Sequence, residues 1–260
     1  MSNVNVPTIV VHRDPEVLAN AVAARIITRL VDVQAAKGSA SIVLTGGTIG
    51  TATLAAIAAT PARDAVDWRR LDIWWGDERF LPDGDKERNE TGARQALLDH
   101  VDVDPERVHV MRGPDSGMTA EESADAYAAE LRRAARPEDH GPVPAFDVML
   151  LGMGPDTHVA SLFPGMPALY DTRPVVAVHG SPKPPPTRIS LTLPAIQASR
   201  EVWVVAAGEE KAGAVRMALS DSGPVQVPAA GARGRGRTLF LLDRAAAAKI
   251  PPELGRLASP

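Results

Sequence analysis

The chain has 260 residues, 28 basic and 32 acidic side chains, a net charge of −4 and no cysteine. The lack of cysteine excludes a thiol nucleophile, a disulfide framework and a thiolate zinc site. The negative balance disfavours nucleic acid or an anionic membrane as a partner. The sequence contains neither an uninterrupted apolar run of ~18 residues nor a basic leader followed by an apolar stretch. We therefore expect a cytoplasmic protein without a membrane span.

Strands that alternate with helices are predicted along the chain. The predicted strands are Pro7–His12, Ser39–Thr45, Leu71–Trp75, Phe146–Leu151, Glu201–Ala207 and Thr238–Leu242. Helices are predicted from Pro15 to about Ala36, after Thr48 to about Ala59, after Thr119 to about Ala135, from about Glu209, and after Asp243. Several strands are apolar throughout, which is typical of a parallel sheet covered on both faces. The prediction is one α/β domain over residues 1–260, with three α/β/α layers and a mainly parallel, Rossmann-like sheet.

Two segments carry weaker signals. Ala230–Arg237, with the sequence AGARGRGR, resembles a nucleic-acid tract, but its shortness favours a flexible surface loop. The proline cluster Pro182–Pro186 predicts a rigid bend that positions its basic flanks, Lys183 and Arg188.

A glycine pair follows the second predicted strand. Gly46 and Gly47 let the backbone approach a ligand, and the helix that follows offers free N–H groups to an anion, to which Thr48 can add a hydroxyl. No lysine follows the glycines, so this is neither a Walker loop nor a full dinucleotide fingerprint. A plain tight turn is an equally good interpretation.

Charged residues follow the third predicted strand. Asp77, Glu78 and Arg79 lie where ligands bind in open α/β sheets, although a solvated loop has the same composition. Asn89 precedes a predicted helix and is either a site residue or that helix's N-cap.

The loop after the fourth predicted strand is the most informative segment. In Gly152–His158, the carboxylate of Asp156 is near enough in sequence to orient the imidazole of His158. A histidine of ordinary pKa can accept a proton from water near neutral pH. No third ligand has zinc spacing, so no metal or other cofactor is predicted. Ser161 lacks a nucleophile-elbow motif and is interpreted as a hydrogen-bonding residue.

In this order, the segments resemble the glucosamine-6-phosphate deaminase/6-phosphogluconolactonase superfamily. The matching segments are TGGT at 45–48, WWGDERFLP at 74–82 with Asn89, LGMGPDTHVASLFPG at 151–165 and KPPPTRISLTLPAI at 183–196. One departure from the family pattern is Thr157, which replaces a glycine. If that position requires a positive φ, the β-branched residue is strained and the loop is shaped somewhat differently.

The resemblance favours the lactonase branch over the deaminase branch. It implies that a deaminase pairs its histidine with a glutamate five residues later, and here that residue is Phe163, which cannot transfer a proton. The implied activity is hydrolysis of 6-phospho-D-glucono-1,5-lactone in the oxidative pentose phosphate pathway. A deaminase-type isomerase and a non-catalytic sugar-phosphate sensor remain alternatives.

The same resemblance implies a set of site residues. His158 would activate water, and Asp156 would orient the imidazole of His158. Arg79 or loop N–H groups would stabilise the developing oxyanion. Candidate ligands for the substrate and its phosphate are Gly46, Gly47, Thr48, Asp77, Asn89, Lys183, Arg188 and Lys211. The expected partner is the small phosphosugar lactone, with no nucleic acid or membrane, and the expected assembly is a monomer or weak homo-oligomer.

Overall fold

The computed structural model describes residues 6–220, 222–251 and 256–257. Its strands are β1 (Thr8–His12), β2 (Ala40–Leu44), β3 (Leu71–Trp75), β4 (Asp77–Arg79), β5 (Val148–Gly152), β6 (Val175–Val178), β7 (Arg188–Leu191), β8 (Glu201–Ala206), β9 (Arg237–Asp243) and β10 (Arg256–Leu257). Its α-helices are α1 (Pro15–Lys37), α2 (Gly47–Ala59), α3 (Asn89–Ala96), α4 (Ala120–Ala134), α5 (Leu193–Gln197), α6 (Ala212–Ala218) and α7 (Pro228–Gly231).

The central sheet has seven parallel strands in the order β10-β1-β9-β8-β5-β2-β3. The carboxyl ends of β2, β3, β5 and β8 therefore lie along one edge, where ligands bind in open parallel sheets. This confirms the predicted α/β class and mainly parallel sheet.

Both faces of the central sheet are buried, because neighbouring side chains along each strand enter different cores. In β3, Trp74 packs in the core that contains Tyr127 of α4, whereas Trp75 packs with Leu18 of α1 and Leu54 of α2. A helix layer thus covers each face of the sheet.

A second sheet, which the sequence analysis did not predict, lies beside the first. It is antiparallel with the order β4-β7-β6, and its register pairs Arg79 with Arg188 and Asp77 with Ser190. The pairing brings together charged residues more than 100 positions apart in the chain.

Local signals at helix ends are confirmed. Asp14 accepts a hydrogen bond from the Val17 amide, and Gly38, which has a φ of 81°, is the C-cap of α1. Thr119 and Glu122 form the predicted capping box of α4. Among the described residues, no helix is long and apolar enough to cross a membrane.

Two predictions about local structure were wrong. The segment after Asp243 forms hydrogen-bonded turns rather than a helix, and the proline at 251 ends it. The 230–237 segment is not a free loop, because the Gly234 amide donates to Thr238 and the Arg235 guanidinium donates to the carbonyl of Asp139. The predicted domain also includes residues 1–5, 221, 252–255 and 258–260, which lie outside the described part of the chain.

Candidate active site

A cleft of ≈ 880 Å³ lies at the carboxyl edge of the central sheet. Nearly all the side chains and loop glycines predicted from the sequence line it, namely Gly46, Gly47, Thr48, Asp77, Arg79, Asn89, His158, Lys183, Arg188 and Lys211. Asp156 is the exception among the predicted residues, and it contacts His158 directly. The structure therefore gathers the predicted residues at one site.

The loop after β5 holds Asp156 and His158 together. Its ends are closed by two backbone hydrogen bonds, from Gly154 N–H to the His158 carbonyl (2.9 Å) and from Thr157 N–H to the Gly154 carbonyl (3.0 Å). His158 Nδ1 lies 2.5 Å from Asp156 Oδ1. A Cβ on Gly154 would lie 2.0 Å from that nitrogen, so the pair fits only over a glycine.

The two ionisable groups of this pair influence one another. Burial lowers the pKa of His158, and this outweighs the hydrogen bond and the charge of Asp156, which raise it. Burial raises the pKa of Asp156, but its hydrogen bond to His158 and the charge of Lys183 bring it below the ordinary value. Asp156 is therefore a carboxylate and His158 a neutral imidazole near neutral pH. Because a carboxylate only accepts, Nδ1 donates and the lone pair is on Nε2.

The N-terminus of α2 forms another wall of the cleft. Gly46 occupies the N-cap position without a side-chain cap, so the first amides of the helix are available to an anion. A Cβ on Gly46 would lie 1.9 Å from Asn89 Oδ1, which shows that this glycine makes room for Asn89. Thr45 Oγ1 accepts the Gly152 amide at 3.2 Å and joins this loop to the one after β5.

Strand β4 presents its alternate residues to opposite sides. Asp77 and Arg79 line the cleft, and both contact Asn89: its Nδ2 donates to the Asp77 carbonyl (2.8 Å), and its Oδ1 accepts from Arg79 Nη1 (2.6 Å). Arg79 Nε is buried and makes no hydrogen bond with any described residue. Arg79 therefore lines the cleft with a guanidinium nitrogen that has no partner among the described residues.

Glu78, between these two residues, is a buried residue whose role the sequence analysis missed. Its carboxylate accepts the amides of Asn89 (2.7 Å), Glu90 (2.8 Å) and Arg79 (2.8 Å). It therefore caps α3, whereas Asn89 is the first helical residue and its side chain is left for the site. Period-two alternation along a short strand is the sequence signal that would have separated Glu78 from its neighbours.

Ser161 has the hydrogen-bonding role that the sequence predicted. Its side chain is fully buried, and Oγ donates to Asp77 Oδ2 at 2.7 Å. The Ser161 amide donates to Ser190 Oγ of β7. These bonds tie the loop after β5 to the second sheet and fix the carboxylate of Asp77.

The proline cluster holds Arg188 in place, as predicted. Arg188 Nε donates to the Pro185 carbonyl, and Nη2 donates to the carbonyls of Lys183 and Pro184. The guanidinium is buried, which lowers its pKa, and Nη1 makes no hydrogen bond with any described residue. A donor is thus held at the cleft by backbone carbonyls.

Two lysines complete the positive charge in the cleft. Lys183 Nζ lies 3.8 Å from Asp156 Oδ1. Burial, together with the neighbouring charge of Lys183, lowers the pKa of Lys211. Among the described residues, no group of three or more histidines, aspartates or glutamates is arranged to hold a metal ion.

Thr157 has the positive φ that the sequence analysis considered, at 71°. Its hydroxyl is buried and makes no hydrogen bond with any described residue. The carbonyl of Thr157 accepts the Ala229 amide in the first turn of α7, which holds the strained residue in place.

Phe163 packs directly on the site. Its ring is 4.5 Å from the His158 ring, centroid to centroid, and the Arg188 guanidinium carbon lies 5.7 Å from its centroid. The side chain is 1% exposed. Phe163 therefore helps to bury both neighbours.

A family described as glucosamine-6-phosphate isomerases/6-phosphogluconolactonase matches residues 13–240. The chain belongs to this family. A 6-phosphogluconolactonase of Streptomyces coelicolor is 64% identical over 251 residues, which cover 95% of this chain and 96% of the relative. A 6-phosphogluconolactonase of Mycobacterium tuberculosis is 49% identical, over 92% of this chain and 96% of the relative.

Solved structures of the family share the fold. The 6-phosphogluconolactonase of Trypanosoma brucei superposes with a TM-score of 0.78 at 30% identity, over 95% of this chain and all of that one. A monomeric glucosamine-6-phosphate deaminase superposes almost as well, with a TM-score of 0.76 at 20% identity over 93% of this chain and 99% of that one. The fold alone therefore does not separate the two branches.

Proposed function

We propose that this chain hydrolyses 6-phospho-D-glucono-1,5-lactone to 6-phospho-D-gluconate, a step of the oxidative pentose phosphate pathway. The observation that carries the proposal is the Asp156–His158 pair in a cleft with four cationic side chains. The 64% identity to a 6-phosphogluconolactonase over nearly the whole chain supports the same activity.

His158 is the general base of the proposed reaction. Since Nδ1 is engaged by Asp156, Nε2 takes the proton from a water molecule as its oxygen attacks C1 of the lactone. The lowered pKa of His158 keeps the base neutral near neutral pH. Asp156 holds the tautomer and stabilises the imidazolium that forms.

Charge on the carbonyl oxygen needs a donor, and Arg79 is our candidate. Its buried Nε has no protein partner within the described chain. Donors aimed at a developing oxyanion can contribute roughly 3 kcal/mol. When the tetrahedral intermediate collapses, the C1–ring oxygen bond breaks, and the ring oxygen takes the proton back from His158 and leaves as a hydroxyl.

The phosphate is assigned to the N-terminus of α2 and to the cationic side chains of the cleft. The amides at Gly46, Gly47 and Thr48 provide the partial positive charge of a helix N-terminus. Arg188 and Lys211 provide full charges, and Lys183 contributes more weakly. Asp77 and Asn89 are assigned to the sugar hydroxyls, because a carboxylate repels a phosphate and accepts from a hydroxyl.

Hydrolysis is tested by coupling the reaction to oxidation of 6-phosphogluconate. His158→Ala should lower kcat by roughly 100-fold or more, which is the size of a lost general base. His100→Ala removes an exposed histidine and serves as the matched control. A near-normal kcat in His158→Ala would contradict the role of His158.

The alternatives have separate assays. Ammonia release from glucosamine 6-phosphate would support the deaminase, which Phe163 disfavours because it offers no proton-transferring group. Binding of phosphosugars without turnover would support the sensor, which the presence of both Asp156 and His158 disfavours. The single domain, the cytoplasmic location and the monomeric or weakly oligomeric state stay predictions.

A further inference from the structure

One oxygen atom of Asp156 has two partners of different kinds. Oδ1 lies 2.5 Å from His158 Nδ1 and 3.8 Å from Lys183 Nζ. The first distance is a short hydrogen bond, and the second is an ion pair beyond hydrogen-bonding range. The lysine therefore competes for the negative charge that stabilises a protonated His158.

Lys183 has a fixed backbone and a movable side chain. Its N–H donates to Ser181 Oγ at 3.3 Å, and its carbonyl accepts from Arg188 Nη2 at 3.1 Å. Its side chain is 41% exposed, and its ammonium makes no hydrogen bond with any described residue. Rotation about the bonds of its four methylene groups lets the ammonium reorient while the proline bend stays in place.

The surrounding charges favour movement towards a bound anion. Lys183 and Lys211 lie in each other's field, and Arg188 lines the same cleft. Around His158 the charged groups are Asp156 on its own loop, Asp77 on β4 and Lys183 on the proline bend. A dianion among the three cations would attract the ammonium that has no hydrogen bond.

We propose that Lys183 is a positioning residue that couples phosphate occupancy to the strength of the base. In the free protein the ammonium shares the carboxylate of Asp156 with His158. When a phosphate dianion is bound, the ammonium turns towards it and leaves Asp156 to His158 alone. The inference rests on the proposed function, and it makes the base strongest when a phosphorylated substrate is in the cleft.

The coupling is measured by NMR titration of the His158 ring, which needs no turnover. The six histidines are distinguished by comparison with a His158→Gln variant. Sulfate is the probe, because it stays a dianion across the titration range. Wild type, Lys183→Gln and Lys211→Gln are titrated without sulfate and at saturating sulfate, with saturation checked for each variant.

Three results are expected. Without sulfate, the titration midpoint of His158 is higher in Lys183→Gln than in wild type, because a competing cation has been removed. Lys211→Gln shifts the midpoint of His158 less, because Lys211 is not ion-paired with Asp156. Sulfate raises the midpoint more in wild type than in Lys183→Gln, because only wild type also moves the lysine.

Equal midpoints for wild type and Lys183→Gln without sulfate would overturn the proposal. Equal sulfate-induced shifts in both proteins would overturn it as well, since the anion would then act by its own field. A protein that shows the expected titrations and no lactonase activity would refute the proposed function and leave the coupling standing. In an active enzyme, the acid limb of the pH profile of kcat gives the pKa of the base in the substrate complex, and that of kcat/KM gives its pKa in the free enzyme. The difference between these two pKa values should be smaller in Lys183→Gln than in wild type.

Discussion

Glu78 provides a test of how burial and hydrogen bonding balance at this site. Its side chain is 2% exposed, and burial raises its pKa to about 7 from an ordinary value of 4.5. Three backbone amides and the charge of Arg88, whose Nε is 3.8 Å away, lower the pKa but do not outweigh burial. Ionising Glu78 is therefore harder in the folded protein than in the unfolded chain.

The free energy of this effect follows from the two pKa values. A difference of one pKa unit corresponds to about 1.36 kcal/mol, so the rise from 4.5 to about 7 corresponds to ~3 kcal/mol. Because the folded pKa is the higher one, Glu78 contributes this stability below pH 4.5. The contribution is lost as the pH rises from 4.5 to about 7.

Glu78→Gln removes the titration and keeps the size of the side chain. Its amide oxygen can still accept the Asn89 and Arg79 amides, but its NH₂ group faces the Glu90 amide, so an offset of ~1–3 kcal/mol at every pH is expected. The informative quantity is how the stability difference changes with pH. The free energy of unfolding of the wild type minus that of the variant should fall by ~3 kcal/mol between pH 4.5 and pH 7.

Urea unfolding at a series of pH values measures this difference. Glu87→Gln is the matched control, because Glu87 is an exposed carboxylate in the segment that leads to α3. Its difference from wild type should stay nearly constant over the same range. If the Glu78→Gln difference is flat, or rises with pH, the balance argued for Glu78 is refuted.

Other substitutions test the loop geometry and the phosphate site. Thr157→Gly should raise the free energy of unfolding by about 1 kcal/mol in urea, since it removes a strained φ and an unpaired hydroxyl at a smaller entropic cost. Gly46→Ala displaces Asn89 and should lower kcat/KM by roughly 100-fold, whereas Gly92→Ala in α3 should not. Arg188→Ala should raise KM by roughly tenfold or more with a smaller effect on kcat; an unchanged KM would remove Arg188 from the phosphate site.

The central sheet was predictable because each of its strands carries its own signal. Val148–Gly152 and Glu201–Ala206 are short and largely apolar, and the loops after such strands converge by geometry alone. That convergence explains why residues from four separate motifs were expected at one site. The predicted helix after Asp243 failed because a capping carboxylate is only a local signal, and Asp243 also accepts the Gly208 amide.

The second sheet was not predictable in the same way. β4 has three residues, all charged, and its partner β7 begins at Arg188, over 100 positions later. Such a strand is stabilised by pairing rather than by its own composition, so the sequence favours a loop. The register that sets Arg79 opposite Arg188 therefore depends on tertiary structure, whereas the cationic character of both residues can be read from the sequence.

Phe163 has no proton-transferring group, yet its side chain contributes to the site. In the sequence, Phe163 indicates only that no proton-transferring group stands five residues after His158. In the structure its ring buries His158 and lies beneath Arg188, and burial is the largest influence that lowers the pKa of each. A glutamate at this position would instead place a negative charge beside both groups, which favours a protonated histidine and pairs the arginine. In the proposed mechanism, Phe163 would thus keep His158 neutral as the base and leave Arg188 available for the phosphate of the substrate.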